Sequence, residues 1–362
     1  MAQEPGKRAF FCLDGMRGVA ALVVLSAHSS MLFTHTLRQF VLAVDFFFVL
    51  SGFVLAYAYS SRLLSGMPAR DFIYARIVRI YPLYLVAILI GFAHAVMAPH
   101  SAEGGPLPAL WGQLGLGLLL MPVSPLTAGH GLYPLDYPAW SLFFELLANV
   151  VFGLLWLRLY RSKPGLAALI AGSAMTLLGC GLVYDTFDLG AVSDHAWAGV
   201  PRVLFSFFLG VVLYELHRRR PATIQLNSWV LLAILPAAMA LHFSNRTLDI
   251  LYQYAMIVAG FPLLVYLGAA SVPGARSARV FHLLGVTSYA VYVLHVPMFY
   301  ALRDIGSYAG IDLAAYAPWT GALFAAGLIG LCVLIDRYYD VPVRRYFSRL
   351  GRTPAGPARA GA

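Results

Sequence analysis

Arg17 and His28 lie eleven residues apart in an otherwise apolar run near the start of the chain, LDGMRGVAALVVLSAHSS. On a helix, eleven steps of about 100° and 1.5 Å bring both side chains to one face, about 16 Å apart. Imidazole is the commonest general base, and a guanidinium binds phosphate or a developing oxyanion. Ionisable groups are costly inside an apolar helix, which points to action on a substrate, an ion or a proton. The alternatives are a snorkelling arginine and a histidine that packs between helices.

Glu145 is the candidate partner of His28. It lies in the run PAWSLFFELLANV, about seven residues or roughly 10 Å below the outer membrane surface. We expect His28 to reach a similar depth, where a carboxylate beside the imidazole orients the ring and favours its protonated form. The alternative is a structural hydrogen bond between helices.

Arg76 and Arg79 are candidate phosphate-binding residues in the run RDFIYARIVRIYPLY. Their i, i+3 spacing places both on one helix face at the cytoplasmic start of the third predicted span. Planar guanidinium groups suit phosphate oxygens. The alternative is that they only flank a membrane helix on its cytoplasmic side.

Ser288, Tyr292 and His295 form a polar stripe in GVTSYAVYVLHVPMF. Their spacing of i, i+4 and i+7 puts a hydroxyl, a phenol and an imidazole on one helical face. This stripe predicts the wall of an interior tunnel. Ordinary hydrogen bonding between helices is the alternative.

Four further residues are predicted to support the site. Asp14 lies three residues before Arg17, so that the pair can share a face and lower the cost of burying the cation. The second apolar run places Asp45 near the outer surface. It places Ser51 and Gly52 at its middle, where small residues let helices approach or leave room for a slim ligand.

The elements that position these residues are membrane helices. Of the 362 residues, 60% are hydrophobic and 11% are charged, which is too little polar surface for a soluble body of this size. Runs near the roughly 20 residues that cross a bilayer predict an all-α polytopic membrane protein with about ten transmembrane helices. They cover about 15–34, 41–59, 80–97, 139–157, 165–183, 198–216, 227–244, 249–268, 284–302 and 318–336.

The basic residues predict the orientation of these spans. Twenty of the 25 lysines and arginines fall on one side, three fall on the other, and Arg17 and Arg202 lie within helices. The positive-inside rule then places both termini in the cytoplasm, with the first helix as an uncleaved signal anchor. Topology thus explains the net charge of +9, and a nucleic-acid partner is not predicted.

One domain dominates the predicted organisation. Residues 1–347 form the transmembrane domain, and the basic, Gly-, Pro- and Ala-rich residues 348–362 are expected to be a disordered tail. The longest outside segment, 98–138, contains an apolar piece, 110–122, that is too short to span. We expect it to be re-entrant or to lie on the surface, as a lid or an acceptor platform. Three scattered cysteines predict neither a disulfide nor a metal site: Cys12, Cys180 and Cys332.

Taken together, these motifs resemble the membrane acyltransferase-3 family, in the family's order and over nearly all of the spanning region. Members look like ten-span proteins that transfer an acyl group, most often acetyl, from cytoplasmic acyl-CoA to a hydroxyl of an envelope glycan. The matching elements are LDGMRGVAALVVLSAH with Arg17 and His28, DFFFVLSGF at 45–53, RIVRIYPLY at 76–84, WSLFFE at 140–145, FSFFLG at 205–210 and SYAVYVLH at 288–295.

The resemblance implies roles for these residues. His28 would be the catalytic histidine, Arg17 would support the donor or its reacting end, and Arg76 and Arg79 would help to hold the CoA phosphates. A departure lies near the C-terminus, where DVPVRRY at 340–346 replaces the family's frequent Glu-x-Pro.

The implied reaction needs acyl-CoA as donor substrate, no permanently bound cofactor or metal, and an envelope glycan or lipid-linked sugar as acceptor. A small hydrophobic molecule is the alternative acceptor. The implied location is the bacterial plasma membrane. We expect direct transfer with His28 as base, Glu145 orienting its ring, and Tyr292, His295 or Arg17 stabilising the oxyanion. An acyl-histidine intermediate is the variant, and a secondary transporter or flippase is the rival function.

Overall fold

The apolar runs form long helices in the computed structural model, which describes residues 10–97, 107–123 and 131–350. Within these ranges the only β-type pairing is an isolated bridge between Gly131 and Val192. The helices are α1 (Phe11–His28), α2 (Ala43–Leu64), α3 (Ala69–Met97), α4 (Leu107–Leu118), α5 (Ala139–Arg161), α6 (Lys163–Tyr184), α7 (Gly199–Arg219), α8 (Ser228–Ala240), α9 (Arg246–Ala270), α10 (Ala275–Tyr308) and α11 (Trp319–Leu350).

Nine of the helices in the described ranges are long and apolar enough to cross a membrane, which confirms the predicted all-α polytopic class. The predicted span 227–244 is shorter than expected, because α8 has 13 residues and the chain becomes extended at Leu241. At 1.5 Å per residue α8 measures about 20 Å, less than the roughly 30 Å of a hydrocarbon core.

Although it is short, α8 joins the two ends of the bundle. We call the end where α1 begins the inner end and the end where α1 finishes, at His28, the outer end. At the inner end the hydroxyls of Ser228 and Ser271 lie 2.6 Å apart. At the outer end the Gln39 amide donates to the Met239 carbonyl at 3.0 Å. Within the described ranges α8 therefore links the two ends of the bundle, although it is too short to count among the nine candidate spans.

The two ends of the described chain lie at the inner end of the bundle. The Tyr74 hydroxyl, near the start of α3, donates to the Phe347 carbonyl in the last turns of α11 at 2.9 Å. The Phe10 ring, just before α1, packs edge-on against Tyr57 near the end of α2. Both described chain ends are thus on one side of the bundle. Their cytoplasmic location stays a prediction.

Close packing of α1 against α10 carries two polar stripes to one interior. Small residues allow this contact, because a Cβ atom at Gly18 would lie 2.4 Å from the Leu284 Cβ, and one at Gly285 would lie 2.5 Å from the Asp14 Cβ. The two helices run in the same direction. This pairing places the outer part of α10 beside the outer end of α1.

A second close crossing joins α2 to α7. A Cβ atom at Gly52 would lie 1.9 Å from the Phe207 carbonyl oxygen, and one at Gly210 would lie 2.0 Å from the Val49 carbonyl oxygen. The predicted reason for a small residue at position 52, helix approach, is therefore confirmed. The crossing turns the adjacent Ser51 toward the interior.

The short helix α4 packs along α3, in the part of the chain where a re-entrant or surface-lying element is predicted. Its Trp111 ring packs against Phe92 in the outer part of α3, with centroids 4.8 Å apart. Its last residues accept hydrogen bonds from α3 further inward, where Tyr84 donates to the Gly117 carbonyl at 2.6 Å. Thus α4 runs from the outer end to about the middle of α3. Residues 98–106 and 124–130 of the predicted outside segment lie outside the described residues.

Candidate functional site

Polar residues predicted from five separate helices meet at one cavity of about 210 Å³. Along α2 the cavity runs from Phe47 to Leu55, a length of about 12 Å at the helical rise. The remaining wall comes from α1, α3, α5 and α10. Its polar lining residues are Arg17, Ser51, Arg76, Arg79, Glu145, Ser288, Tyr289 and Tyr292.

The two arginines of α3 lie deeper than predicted. Hydropathy placed the start of the third span at about residue 80, but α3 begins at Ala69. Arg76 is therefore seven residues inside the helix, about 10 Å from its first residue. The inner turns remain helical because their apolar side packs inward, with Phe72 fully buried. The arginines face the cavity instead of marking the helix end.

Glu145 contacts Ser51 and Arg76, so the predicted contact with His28 is wrong. The Ser51 hydroxyl donates to Oε1 at 2.8 Å, and Arg76 Nη2 lies 3.3 Å from the same oxygen. Ser141, one turn outward on α5, already reaches the level of Tyr292. Glu145 consequently lies about 10 Å inward of His28. Span ends predicted from hydropathy are too imprecise to reveal this difference in depth.

The ring that meets His28 is that of His295. His28 Nδ1 lies 2.9 Å from His295 Nε2. His295 Nδ1 lies 2.7 Å from the Tyr292 carbonyl oxygen, which can only accept, so that Nδ1 carries the proton. His295 Nε2 is then the acceptor, and His28 Nδ1 donates to it. The pair leaves the lone pair of His28 on Nε2, the atom that can take a proton.

A layer of three side chains lies between the cavity and this histidine pair. The hydroxyls of Ser141 and Tyr292 are 2.6 Å apart, and the Phe47 ring packs edge-on against Tyr292 with centroids 5.3 Å apart. The Tyr292 ring also lies 6.0 Å from the His295 ring. We call Phe47, Ser141 and Tyr292 the Tyr292 layer. Ser288, Tyr292 and His295 thus share one face toward the interior, as their spacing predicts.

Arg17 is held at the inner part of the cavity. Its Nη2 lies 3.1 Å from an Asp14 carboxylate oxygen and donates to the Gly285 carbonyl at 2.8 Å. The Ser288 hydroxyl donates to the same carbonyl at 2.8 Å. The predicted pairing of Asp14 with Arg17 is confirmed, and it fixes the guanidinium against α10.

Arg79 has an acidic partner that sequence reasoning did not assign to it. Its Nη1 lies 3.8 Å from Asp340 Oδ2, and its guanidinium stacks 5.0 Å from the Tyr289 ring centroid. Asp340 is 1% exposed and also pairs with Arg344 at 2.8 Å. A π-helical turn at Asp336–Asp340 adds a residue to the helix there and sets this register. The departure from Glu-x-Pro therefore keeps a carboxylate beside the cavity.

Asp45 pairs with Arg202 outside the cavity. Both side chains are fully buried, and Arg202 Nη2 lies 2.7 Å from Asp45 Oδ2. Arg202 also donates to the Leu189 carbonyl at 2.8 Å and to the Val41 carbonyl at 2.9 Å. The sequence signal for this ion pair was Arg202, a single arginine within an apolar run. Its contacts tie two outer segments together, so Asp45 serves the fold around the site.

Within the described ranges no three His, Cys, Asp or Glu side chains come together as a possible metal site. The three cysteines are buried and free.

Comparison with known proteins gives a consistent picture. A family model described as "Acyltransferase domain" matches residues 10–337. "Acyltransferase MdmB" of Streptomyces mycarofaciens is 29% identical over 360 residues, covering 89% of this chain and 86% of that protein. "Protein 2 in picA locus" of Rhizobium radiobacter is 39% identical over 162 residues, covering 42% of this chain and 84% of that protein.

A third relative carries a more specific name. "Putative peptidoglycan O-acetyltransferase YrhL" of Bacillus subtilis (strain 168) is 24% identical over 311 residues, covering 79% of this chain and 48% of that protein. No solved structure matches the chain.

Proposed function

Since the chain belongs to the acyltransferase-3 family and is a membrane acyltransferase, we propose that it moves an acyl group from acyl-CoA to a hydroxyl of an envelope glycan or lipid-linked sugar. Acetyl is the proposed group, and the bacterial plasma membrane is the proposed location. The observation that carries this proposal is the arginine-lined cavity that leads along the bundle toward His28 and His295.

The cavity suits the slim arm of acyl-CoA better than the whole molecule. Three arginines and one glutamate line it, so its formal charge is positive. Its 210 Å³ is below the roughly 300–1,000 Å³ of pockets that enclose drug-sized ligands. We infer that Arg79 and Arg76 attract the phosphates by charge-assisted hydrogen bonds while the nucleotide stays on the inner side. The pantetheine arm then extends past Ser51 toward the Tyr292 layer.

The chemistry follows from the tautomers of the histidine pair. His28 Nε2 takes the proton of the acceptor hydroxyl, and the hydroxyl oxygen forms a bond to the thioester carbonyl carbon. The tetrahedral intermediate collapses, the C–S bond breaks, and the imidazolium returns the proton to the leaving thiolate. His295 holds the His28 ring in the productive tautomer throughout. An acyl-His28 intermediate is the variant of this route, with Nε2 as nucleophile.

The acceptor is the finer part of the proposal. The name of the Bacillus subtilis relative supports a sugar hydroxyl of an envelope polymer. The Tyr292 layer and the outer segments around His28 leave the acceptor to approach from the outer end. Donor and acceptor would then meet at His28 from opposite ends of the bundle.

Purified protein in detergent, given acetyl-CoA labelled in the acetyl group, tests the donor. We expect release of CoA thiol and, with the acceptor present, a labelled ester. His28→Ala should abolish both while the protein remains folded in the membrane. Envelope glycans from cells with and without the protein, compared by mass spectrometry, should differ by acyl groups. Unchanged glycans and no thiol release would overturn the proposal.

A further inference from the structure

A buried carboxyl group without a partner lies where the outer segment enters α5. Asp136 is 1% exposed, and within the described ranges neither of its side-chain oxygens has a hydrogen-bond partner. Its backbone is held at both sides, because its amide donates to the Tyr133 carbonyl at 3.2 Å and its carbonyl accepts from the Ala139 amide at 2.9 Å. Buried polar groups are nearly always paired, so an unpaired acid in a fixed segment calls for a ligand.

The phenols around Asp136 donate their protons elsewhere. Tyr84 and Tyr289 each donate to a backbone carbonyl at 2.6 Å, and the Tyr292 hydroxyl is shared with Ser141. All three phenols lie within electrostatic range of the Asp136 carboxyl. Tyr289 and Tyr292 also line the cavity. Asp136 is therefore close to phenols of the cavity wall, although it is not itself a lining residue.

The same segment reaches the histidine pair. Tyr137, the next residue, packs its ring edge-on against His28, with centroids 5.7 Å apart. Ser141, one turn into α5, completes the Tyr292 layer. Asp136 thus belongs to a segment that contacts both the His28 ring and the Tyr292 layer.

Burial of the Asp136 carboxyl group favours its neutral form. Burial raises the pKa of Asp136 well above the usual range of an aspartate. A neutral carboxylic acid in an apolar site is a hydrogen-bond donor, and such a donor gains most when it faces an oxygen that becomes negative during the reaction.

On the basis of the proposed acyl transfer, we propose that Asp136 is a catalytic residue whose neutral carboxyl donates a hydrogen bond to the thioester carbonyl oxygen as it becomes an oxyanion. The proton stays on Asp136 throughout. The acceptor oxygen bonds to the carbonyl carbon, the C–S bond then breaks, and His28 carries the acceptor's proton to the thiolate. Asp136 would thereby supply a hydrogen-bond donor near Tyr289 and Tyr292, whose own hydroxyls are already engaged.

Two substitutions separate this role from a structural one. Asp136→Asn keeps the shape and an N–H donor, and we expect its kcat to stay within about tenfold of the native value. Asp136→Leu removes the donor, and we expect kcat to fall about 10²- to 10³-fold, the usual loss for one oxyanion donor. The KM values for acetyl-CoA and for the acceptor should not change in either variant. Asp194→Leu, at an exposed outer position, is the matched control.

Each other outcome overturns the inference. Native kcat in Asp136→Leu would show that the carboxyl is not needed, and an equal loss in Asp136→Asn would show that the charged form is needed. A raised acceptor KM with native kcat would make Asp136 an acceptor-binding residue instead. Asp136→Ala is used in the same way if the leucine variant does not fold. Absence of transfer by the native protein would instead overturn the proposed function itself.

Discussion

At the scale of single residues, the two imidazoles decide which atom can accept a proton. His295 Nδ1 donates its proton to the Tyr292 carbonyl, so His295 Nε2 is an acceptor. The proton of the neutral His28 ring is therefore on Nδ1, which donates to that acceptor. A carboxylate partner would do the same with a charge. Here the group that orients His28 is the ring of His295, which is 1% exposed. This ring places no carboxylate charge beside the base.

Substitution of His295 tests this arrangement. We expect His295→Ala to lower kcat about 10²-fold, within the usual range for loss of general-base function, because the His28 ring loses its acceptor. His295→Gln should recover part of the rate, since its amide oxygen can accept from His28 Nδ1. Steady-state kinetics of the purified variants give the comparison, with exposed His35→Ala as control. Equal losses in the alanine and glutamine variants would argue against an acceptor role.

Substitution of Arg79 tests the donor side. We expect Arg79→Ala to raise the KM for acetyl-CoA about tenfold with little change in kcat, because phosphate contacts far from the thioester bind ground and transition states alike. Arg70→Ala is the matched control on the same helix, where the side chain is 81% exposed. A lower kcat at unchanged KM would mean that Arg79 acts at the reacting atoms.

Sequence patterns identified most residues of the site but not their partners. Spacing placed Ser288, Tyr292 and His295 on one face because helical periodicity is local. The depth of Glu145 and the pairing of Arg79 with Asp340 depend on where distant helices begin and on a π-helical turn. Asp136 was missed because a lone acid before a proline-containing turn has no periodic signal.

At the scale of helices, glycine contacts set the distances between the walls of the site. The crossing of α2 and α7 places backbone against backbone at Gly52. Hydropathy found these helices because composition reveals what is apolar over 20 residues. Hydropathy missed the inner turns of α3, where charged residues are interspersed with buried apolar ones. It also overestimated the length of α8.

Gly52→Ala tests the α2–α7 crossing. Its methyl group would meet the Phe207 carbonyl oxygen at 1.9 Å, so the helices must separate. We expect a loss of about 1–3 kcal/mol, the usual cost of overpacking. Thermal unfolding in detergent, compared with Gly172→Ala in α6, where no atom lies within 4 Å, measures the difference. Equal melting temperatures for the two variants would refute the steric argument.

At the scale of the whole molecule, the two ends of the bundle carry different chemical groups. The arginines line the inner part of the cavity, and the histidine pair lies at the outer end. The positive-inside rule assigns the inner end to the cytoplasm, where acyl-CoA is made. That assignment is what makes the proposed transfer cross the membrane.

Cysteine labelling in whole cells tests the sidedness. In a background without Cys12, Cys180 and Cys332, a membrane-impermeant maleimide should label Ser307→Cys at the outer end but not Ser65→Cys at the inner end. Both positions are exposed in the structure. Permeabilised cells should label both and serve as the control. The reverse pattern would place the donor cavity outside the cell and rule out a cytoplasmic acyl-CoA.

The Tyr292 layer also bears on the electrical integrity of the membrane. A continuous water-filled path through a membrane protein dissipates an ion gradient unless the path itself excludes ions. The Tyr292 hydroxyl lies 2.6 Å from that of Ser141, and its ring packs against Phe47. These side chains fill the described interior between the cavity and the histidine pair. A thin acyl arm can displace aromatic rings that a hydrated ion cannot. Under the proposed function, the Tyr292 layer would let an acyl group reach the outer end while it excludes water and ions.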